Sequence, residues 1–470
     1  MADYTFLPKE LSAQTTLTDL QKRILLGLGI FLGSLFVWHW AVALRGVVGI
    51  LMAFYLADVL HQFFVAFRSL IRQPEITIHS DVLSSLRQGE LPVYSILCPL
   101  YKETEVVGQF LGAIDKLDWP KDKLDVQILL EEDDRETQAA LRRMNVPAYI
   151  TVRVVPSGYP QTKPRACNFG LLYARGEFIV IYDAEDIPEP AQLKKVYASF
   201  LQADEKVACM QAKLAFYNET QNVLTRLFAA EYLLWFGMVL PGLQSFNAVI
   251  PLGGTSNHFR TSVLKSLKGW DSYNVTEDCD LGIRLYRFGF RTAIIDSTTY
   301  EEANSAAGNW LRQRSRWIKG YMQSYLVAMR APRELSRQGL WRYISFHLTV
   351  GGKALSLFIN PLFWFLTAGY VLARGIFGPV IDVMYNAPLL YLGSISLVAG
   401  NFLYFYAHMM AVAKHRRWGL MKYVFFVPVY WLMMSVAGWL AFWQLLRNPH
   451  YWEKTAHGLH LETARTGLEA

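Results

Sequence analysis

The chemistry-bearing residues of this chain stand in a fixed order. Two acidic runs, Glu131-Glu132-Asp133-Asp134 and Asp183-Ala184-Glu185-Asp186, precede a third acidic pair in Thr276-Glu277-Asp278. Gln313-Arg314-Ser315-Arg316-Trp317 follows 35 residues after Asp278, just before a block of apolar segments. Carboxylates can hold a hard divalent cation through oxygen, or take a proton from an attacking hydroxyl. Guanidinium groups grip phosphate through paired donors. Trp317 offers a flat apolar face beside them. Together these groups suit transfer of a group from a phosphorylated donor, at the place where a soluble domain meets a lipid bilayer.

Such residues need a frame, and the stretch from about 92 to 335 supplies one. Val93–Cys98, Asp125–Leu130, Ile150–Val155 and Phe178–Tyr182 read as strands, with Val207–Phe216 and Thr292–Ile295 weaker. Glu103–Lys116, Arg165–Ala174, Pro190–Gln202 and Glu277–Phe288 are amphipathic segments between them. This alternation predicts an α/β fold, a mostly parallel sheet with helices on both faces. In open parallel sheets, ligands bind at the carboxyl ends of the strands. The second and fourth strands end in the acidic runs. Burying an unpaired carboxylate costs on the order of several kcal/mol, so acids placed twice at that edge point to a site. A solvated turn is the plain alternative for either run alone. Thr276 also has a structural reading, as the cap of a helix whose first-turn acids the dipole stabilises.

Composition sets the surroundings. Of 470 residues, 53% are hydrophobic, and the surplus is concentrated. Ile24–Leu44, Ala354–Ala373, Val383–Ala413 and Tyr423–Leu446 are each near or above the ~20 residues a spanning helix needs. Charged residues are sparse there, and Gly46–Phe67 contains only Asp58. No small-residue cleavage site follows the first run, so it reads as a retained anchor. Basic residues flank these runs and place residues 1–23, the middle region and the loop Lys414–Lys422 in the cytosol. The net charge of +7 sits mostly at these flanks, which suits topology and anionic lipid and not nucleic acid. Cys98, Cys167, Cys209 and Cys279 form no CxxC pair and read as buried, reduced thiols. No HExxH or Cys/His zinc spacing is present.

The expected domains are a cytosolic tail (1–23), two transmembrane helices (24–67) with Arg45 between them, and a catalytic domain (90–335). An interfacial helix at about 222–246 is expected within that domain, with a core helix as the alternative. An interfacial helix and about three transmembrane segments (341–446) and a tail (447–470) follow. Asn360 and Pro361 suggest a kink, and Asp58 and His61 should share an inward face. Five full spans place the tail outside. Yet Arg447–Lys454 is conspicuously polar and aromatic, and His457 lies just beyond. If it meets the site, one apolar segment is re-entrant or another crossing exists. Pro428 makes Tyr423–Leu446 the suspect.

The series Glu132-Asp133-Asp134, Lys163 to Asn168, Asp183–Asp186, Thr276–Asp278 and Gln313–Trp317 resembles the processive membrane glycosyltransferases of family 2. That group contains cellulose, hyaluronan and poly-N-acetylglucosamine synthases. The resemblance covers roughly residues 92–320 and implies a GT-A fold. It implies an inverting hexosyltransferase of a bacterial-type inner membrane, multi-pass, with its catalytic domain in the cytosol. Such an enzyme moves sugar from a nucleotide-sugar donor, expected to be UDP-linked, onto a growing polysaccharide that leaves through its own channel. A diphosphate leaves readily when a divalent cation takes up its charge, so Mg2+ or Mn2+ is expected on Asp183 and Glu185. The family usually has Asp where Glu185 stands, and Asp186 is a rival ligand.

By the same resemblance, Asp133 contacts the nucleobase or ribose, with a register uncertain by one within Glu131–Asp134. Lys163, Gln313, Arg314 and Arg316 meet the donor diphosphate, and Asn168 shapes its loop. Asp278 is the base, with Glu277 and Asp183 in the catalytic set. Trp317, Gly254 and Thr255 line the acceptor path, where Gly253–Asn257 departs from the family's more aromatic, cysteine-containing version. The bilayer is a partner, and a periplasmic export or regulatory partner is compatible with the reading. Two alternatives stay open: transfer of a single sugar to a lipid acceptor, and an inactive export or surface-assembly component.

Overall fold

The computed structural model describes residues 7–384 and 386–453. Its centre is an eight-stranded sheet in the order β3-β2-β1-β4-β7-β6-β8-β5. The strands are β1 (Tyr94–Leu100), β2 (Leu124–Glu131), β3 (Ile150–Val155), β4 (Phe178–Ile181), β5 (Ile187–Pro188), β6 (Val207–Phe216), β7 (Asn257–Arg260) and β8 (Arg291–Glu301). β1 pairs in parallel with β2 and β4, and β2 with β3. The carboxyl ends of β2 and β4 therefore share one edge, with both acidic runs on it. The expected parallel pairing recurs between β6 and β8, but antiparallel strands interrupt it, so the sheet is mixed. β7 inserts antiparallel between β4 and β6, and β5 runs antiparallel to β8. Asn257-His258-Phe259-Arg260 carries no strand pattern, so pairing partners and not local preference make it a strand.

The helices used below are α1 (Asp19–Arg72), α2 (Val107–Asp115), α3 (Lys163–Tyr173), α4 (Gln192–Gln202), α5 (Val223–Leu234), α6 (Glu277–Arg287), α7 (Ala307–Ala328), α8 (Lys353–Met384), α9 (Ala387–Lys414) and α10 (Val427–Arg447). Strand residues alternate between faces. Tyr94, Ile96 and Ile128 join Phe110 of α2 and Phe200 of α4 in one core. Leu97, Leu129 and Ile181 join Phe169 of α3, Phe228 of α5 and Leu281 of α6 in the other. The four cysteines are buried and free.

Among the described residues, five helices are long and apolar enough to cross a membrane. Before residue 68, α1 consists of two helical stretches that meet across a kink at His39, where φ is −142° and ψ 55°. The break precedes Arg45 because nothing in Leu44-Arg45-Gly46-Val47 forms a turn, and a lone Gly costs a helix only about 1 kcal/mol. Both ends of α1 reach the sheet domain. Gln21 Nε2 donates to Leu326 O (2.8 Å), and Arg68 Nε donates to Ser245 Oγ (2.6 Å). The segment Asn222–Phe246 is largely buried rather than laid on a surface. α5, a π-helical turn (Trp235–Val239) and a short helix (Leu240–Gln244) pack between the sheet and the long apolar helices. Phe228 and Tyr232 sit 4.5 and 4.3 Å from the ring of Phe216. Asn360 and Pro361 lie within α8, which runs through them as one helix to Met384. Asp58 and His61 do face inward, accepting from Ser356 Oγ (2.7 Å) and sharing a hydrogen bond with Ser345 Oγ (2.9 Å) respectively.

The tail also has its place. The loop before α10 is tied to the sheet domain by Arg417 Nη1 donating to Glu219 Oε1 (3.0 Å). Just after α10, Lys319 Nζ donates to Tyr451 O (2.8 Å). Both ends of α10 thus meet the same domain, so Tyr423–Leu446 leaves that domain and returns to it. Pro428 sits in its first turn, where the missing N–H costs nothing. Lys454 and His457 lie outside the described residues.

Candidate functional site

At the end of β2, four consecutive acids have four separate surroundings. Glu131 is buried and lines the main cavity. Burial pushes its carboxyl up to about 7, against the pull of Arg165, whose Nη1 lies 4.0 Å away. Glu132 accepts from Ser157 N (2.9 Å). Asp133 stays at the rim, accepting from Tyr101 Oη (3.1 Å) and Gln161 Nε2 (2.8 Å), two residues that line the cavity. Asp134 caps the next helix at Thr137 N (3.2 Å) and accepts from Lys102 N (2.5 Å). Of the four, Glu131 is the one placed in the cavity wall.

The run after β4 divides likewise. Asp183 and Glu185 line the cavity. Asp186 turns inward, where its Oδ2 accepts from Asp183 N (2.7 Å) and from the Thr255 hydroxyl. The same hydroxyl oxygen lies 3.0 Å from Ile181 O, so Thr255 braces the acidic turn although it borders the cavity. Burial, and then the charges of Asp183, Glu185 and Glu301, push the Asp186 carboxyl well above the usual range. Lys163 Nζ answers this negative charge, lying 2.5 Å from Asp183 Oδ1 and donating to Gly254 O (2.9 Å). Burial alone lowers its ammonium pKa, but Asp183 and Glu277 hold it above the ordinary value. Among the described residues no group of three or more His, Cys, Asp or Glu side chains is gathered as a metal cage. Two cavity carboxylates in an over-acidic pocket fit a hard cation whose shell is completed by phosphate and water.

Glu277 and Asp278 open α6 opposite these acids. Asp278 Oδ1 accepts from Cys279 N (2.7 Å), and a methyl group added at Gly254 would lie 3.5 Å from its Oδ2. Burial pushes Asp278 up to about 6 and Glu277 higher still, with Lys163 and Arg316 pulling both down. Thr276 makes no side-chain cap. Its hydroxyl faces Gly320 of α7, where any Cβ would collide with it, and its N–H donates to Asn274 Oδ1 (3.0 Å). Asn168 does hold backbone, but that of a distant segment. It donates to Trp270 O (2.8 Å) and accepts from Trp270 N (2.9 Å).

α7 carries the Gln313–Trp317 set. Gln313 accepts from Asn304 Nδ2 (3.0 Å), and Trp317 packs on the core while bordering the cavity. Arg314 is buried in a cage. It donates to both oxygens of Glu231 (3.0 and 2.5 Å) and to Tyr430 Oη (3.0 Å), with the Phe228 ring 4.2 Å from its guanidinium carbon. Arg316 instead joins Asp183, Glu277 and Asp278 at the cavity, with its guanidinium carbon 4.5 Å from the Trp452 ring centre. Trp452 comes from the tail, as do Asn448 and His450 in the same wall.

The cavity measures about 920 Å³ and gathers every expected site residue except Asp133. Glu231, Lys353, Trp235 and Phe236 also line the wall, none of them expected there from the sequence. Glu231 had a signal, since a carboxylate within an apolar run is costly unless paired. Two smaller cavities, of about 30 and 140 Å³, share Tyr55, Asn360, Trp364 and Asn401.

Residues 178–377 match the profile described as Glycosyl transferase family group 2. A probable glycosyltransferase, YdaM of Bacillus subtilis (strain 168), is 26% identical over 309 residues, covering 59% of this chain and 73% of that one. Probable glucomannan 4-beta-mannosyltransferase 7 of Oryza sativa subsp. japonica is 30% identical over 246 residues, covering 50% of this chain and 41% of that one. The solved mannosyltransferase PcManGT of Pyrobaculum calidifontis, in complex with GDP-Man and Mn2+, superposes with a TM-score of 0.55 at 18% identity, covering 86% of this chain and 99% of that one. The chain has a GT-A fold, its residues 178–377 are similar to family 2 glycosyltransferases, and helices long and apolar enough to cross a membrane accompany the sheet domain.

Proposed function

We propose that this chain is a membrane-embedded inverting hexosyltransferase that takes sugar from a nucleotide-sugar donor and extends a polysaccharide. The observation that carries the reading is the single cavity joining Lys163, Asp183, Glu185, Asp278 and Arg316 to apolar residues of α8 and α10. Asp278 takes the proton of the acceptor hydroxyl as that oxygen bonds to the anomeric carbon. The bond from that carbon to the diphosphate breaks on the opposite face, which inverts the centre. Lys163 and Arg316 offer their charges to the departing diphosphate. Asp183 and Glu185 would hold Mg2+ or Mn2+, which when bound takes up leaving-group charge. The relatives named above widen the donor set from UDP-linked sugars to GDP-linked mannose.

Polymer extension is supported by the face of α8 that leads away from the site. Ser356, Asn360, Trp364 and Thr367 line the smaller cavities at helical spacing, a wall suited to sugar hydroxyls and rings. A second reading, transfer of one sugar to a lipid-linked acceptor, is favoured by Trp235, Phe236, Leu357 and Met434 in the main wall. The basic flanks favour a cytosolic domain at an inner membrane. Purified chain given radiolabelled UDP- and GDP-sugars with Mg2+ or Mn2+ tests both readings. Long products support extension, and a single added sugar replaces it with the lipid reading. Product formation undiminished in Asp278→Asn would sink the enzyme assignment.

A further inference from the structure

Residues before the first apolar helix are polar, yet Ser12 and Ala13 are buried. Their partner is Asp271, itself buried, in the segment that leads into Glu277 and Asp278. Asp271 accepts from Ser12 Oγ (2.8 Å) through Oδ1 and from Ala13 N (2.6 Å) through Oδ2. Arg330, beyond α7, closes the other side. Its guanidinium donates to the carbonyls of Lys9 (2.9 Å), Glu10 (3.2 Å) and Ser12 (2.9 Å), and also to that of Thr15. Collecting so many carbonyls on one cation is a costly arrangement for a passive tail, since each ordered residue loses about 1–2 kcal/mol of backbone entropy.

What the clasp holds touches the site. Oδ1 of Asp271 also accepts from Tyr273 N (3.1 Å), and Gln14 Nε2 donates to Tyr273 Oη (3.3 Å). The Tyr273 ring meets Tyr159 of the cavity wall at 6.2 Å, and Tyr273 O accepts from His450 Nδ1 (3.2 Å) in the tail. Thr162, next to Lys163, donates to Ser272 O (2.9 Å). One short segment thus joins the Tyr159–Lys163 loop, the tail and the polypeptide before α1.

We propose that residues 9–18 form a clasp that, through Asp271 as positioning residue, sets Tyr273 against Tyr159 and His450 and so shapes the nucleotide end of the cavity. This rests on the nucleotide-sugar reading above. The clasp contributes to donor affinity and leaves the acceptor's deprotonation to Asp278.

The test uses full-length chain in lipid nanodiscs, titrated with GDP and with UDP in the presence of Mn2+. Asp271→Asn, which keeps shape but sets an amide against the Ala13 N–H, should weaken nucleotide binding by up to about 10–100-fold, the effect of losing one charge-assisted hydrogen bond. Arg330→Gln frees the clasp from its other side and should act in the same direction. The double variant should be no worse than the weaker-binding single. In turnover, donor KM should rise while kcat stays within about twofold. Unchanged affinity and KM in Arg330→Gln, with the clasp newly open to proteolysis, overturns the inference even if Asp271→Asn misfolds. So does a fall in thermal stability with affinity intact. If neither nucleotide binds the unaltered chain, the functional reading fails and the inference with it.

Discussion

The two faces of α7 hold the same residue type for opposite purposes. Arg314 and Arg316 are two apart, so at 3.6 residues per turn they project roughly 160° from one another. Arg314 points into a protein-made cage of Glu231, Tyr430 and Phe228, with its charge already matched. Arg316 points at the cavity, among acids and beneath Trp452. One short motif therefore contains a strut that fastens α7 to α5 and α10 and a group still placed for a ligand. Residue type and adjacency say nothing about which is which; the partners do.

The comparison breaks most easily at Arg314. Arg314→Met leaves Glu231 charged and buried, which should cost about 3–5 kcal/mol of stability, whereas Arg316→Gln should leave stability within about 1 kcal/mol. Thermal unfolding of both variants in one detergent checks the contrast, and equal losses would erase the division. Arg316→Gln should instead weaken donor use about 10–100-fold in kcat/KM, the worth of a hydrogen bond to a charged group, as radiolabelled transfer would show. If Arg316→Gln transfers as the parent does, the cavity face has no ligand role.

A pH profile sharpens the point. Asp278 must be deprotonated to act as base, and it lies at about 6, so kcat should fall as pH drops through that range. Arg316 pulls this value down, so Arg316→Gln should move the acid limb to higher pH. Arg314→Met, its charge already spent on Glu231, should leave the limb where it is. The smallest effect is expected from Trp452→Ala. Loss of a cation–π contact worth about 0.5–2 kcal/mol should raise donor KM about 2–30-fold, with stability unchanged. A donor titration at fixed acceptor reads it directly.

Much of this is legible in the amino-acid sequence. Ile150–Val155 is a strand to the residue because its β-branched side chains leave little choice, and the weaker Val207–Phe216 reaches its expected bounds by pairing with β7 and β8. The strand-end acids pointed to a site because carboxylates there are costly to bury without partners. What failed was set by distant partners. Thr276 looked like a cap, but Asn274 and Gly320 surround it. Asn257–Arg260 became a strand by pairing with β4 and β6. The Glu131–Asp134 register could not be read, because a turn stops strand alternation where it would be needed. The tail's chemistry was conspicuous, but its place at the cavity depended on α10 returning to the domain, which hydropathy does not encode.

That return fixes a parity. The polypeptide before α1 is bound to Asp271, and the polypeptide after α10 is bound to Lys319, so both stretches lie on the domain's own side of the apolar helices. A membrane-impermeant thiol reagent should therefore treat a cysteine introduced near residue 10 and another near residue 453 alike, either reaching both or neither.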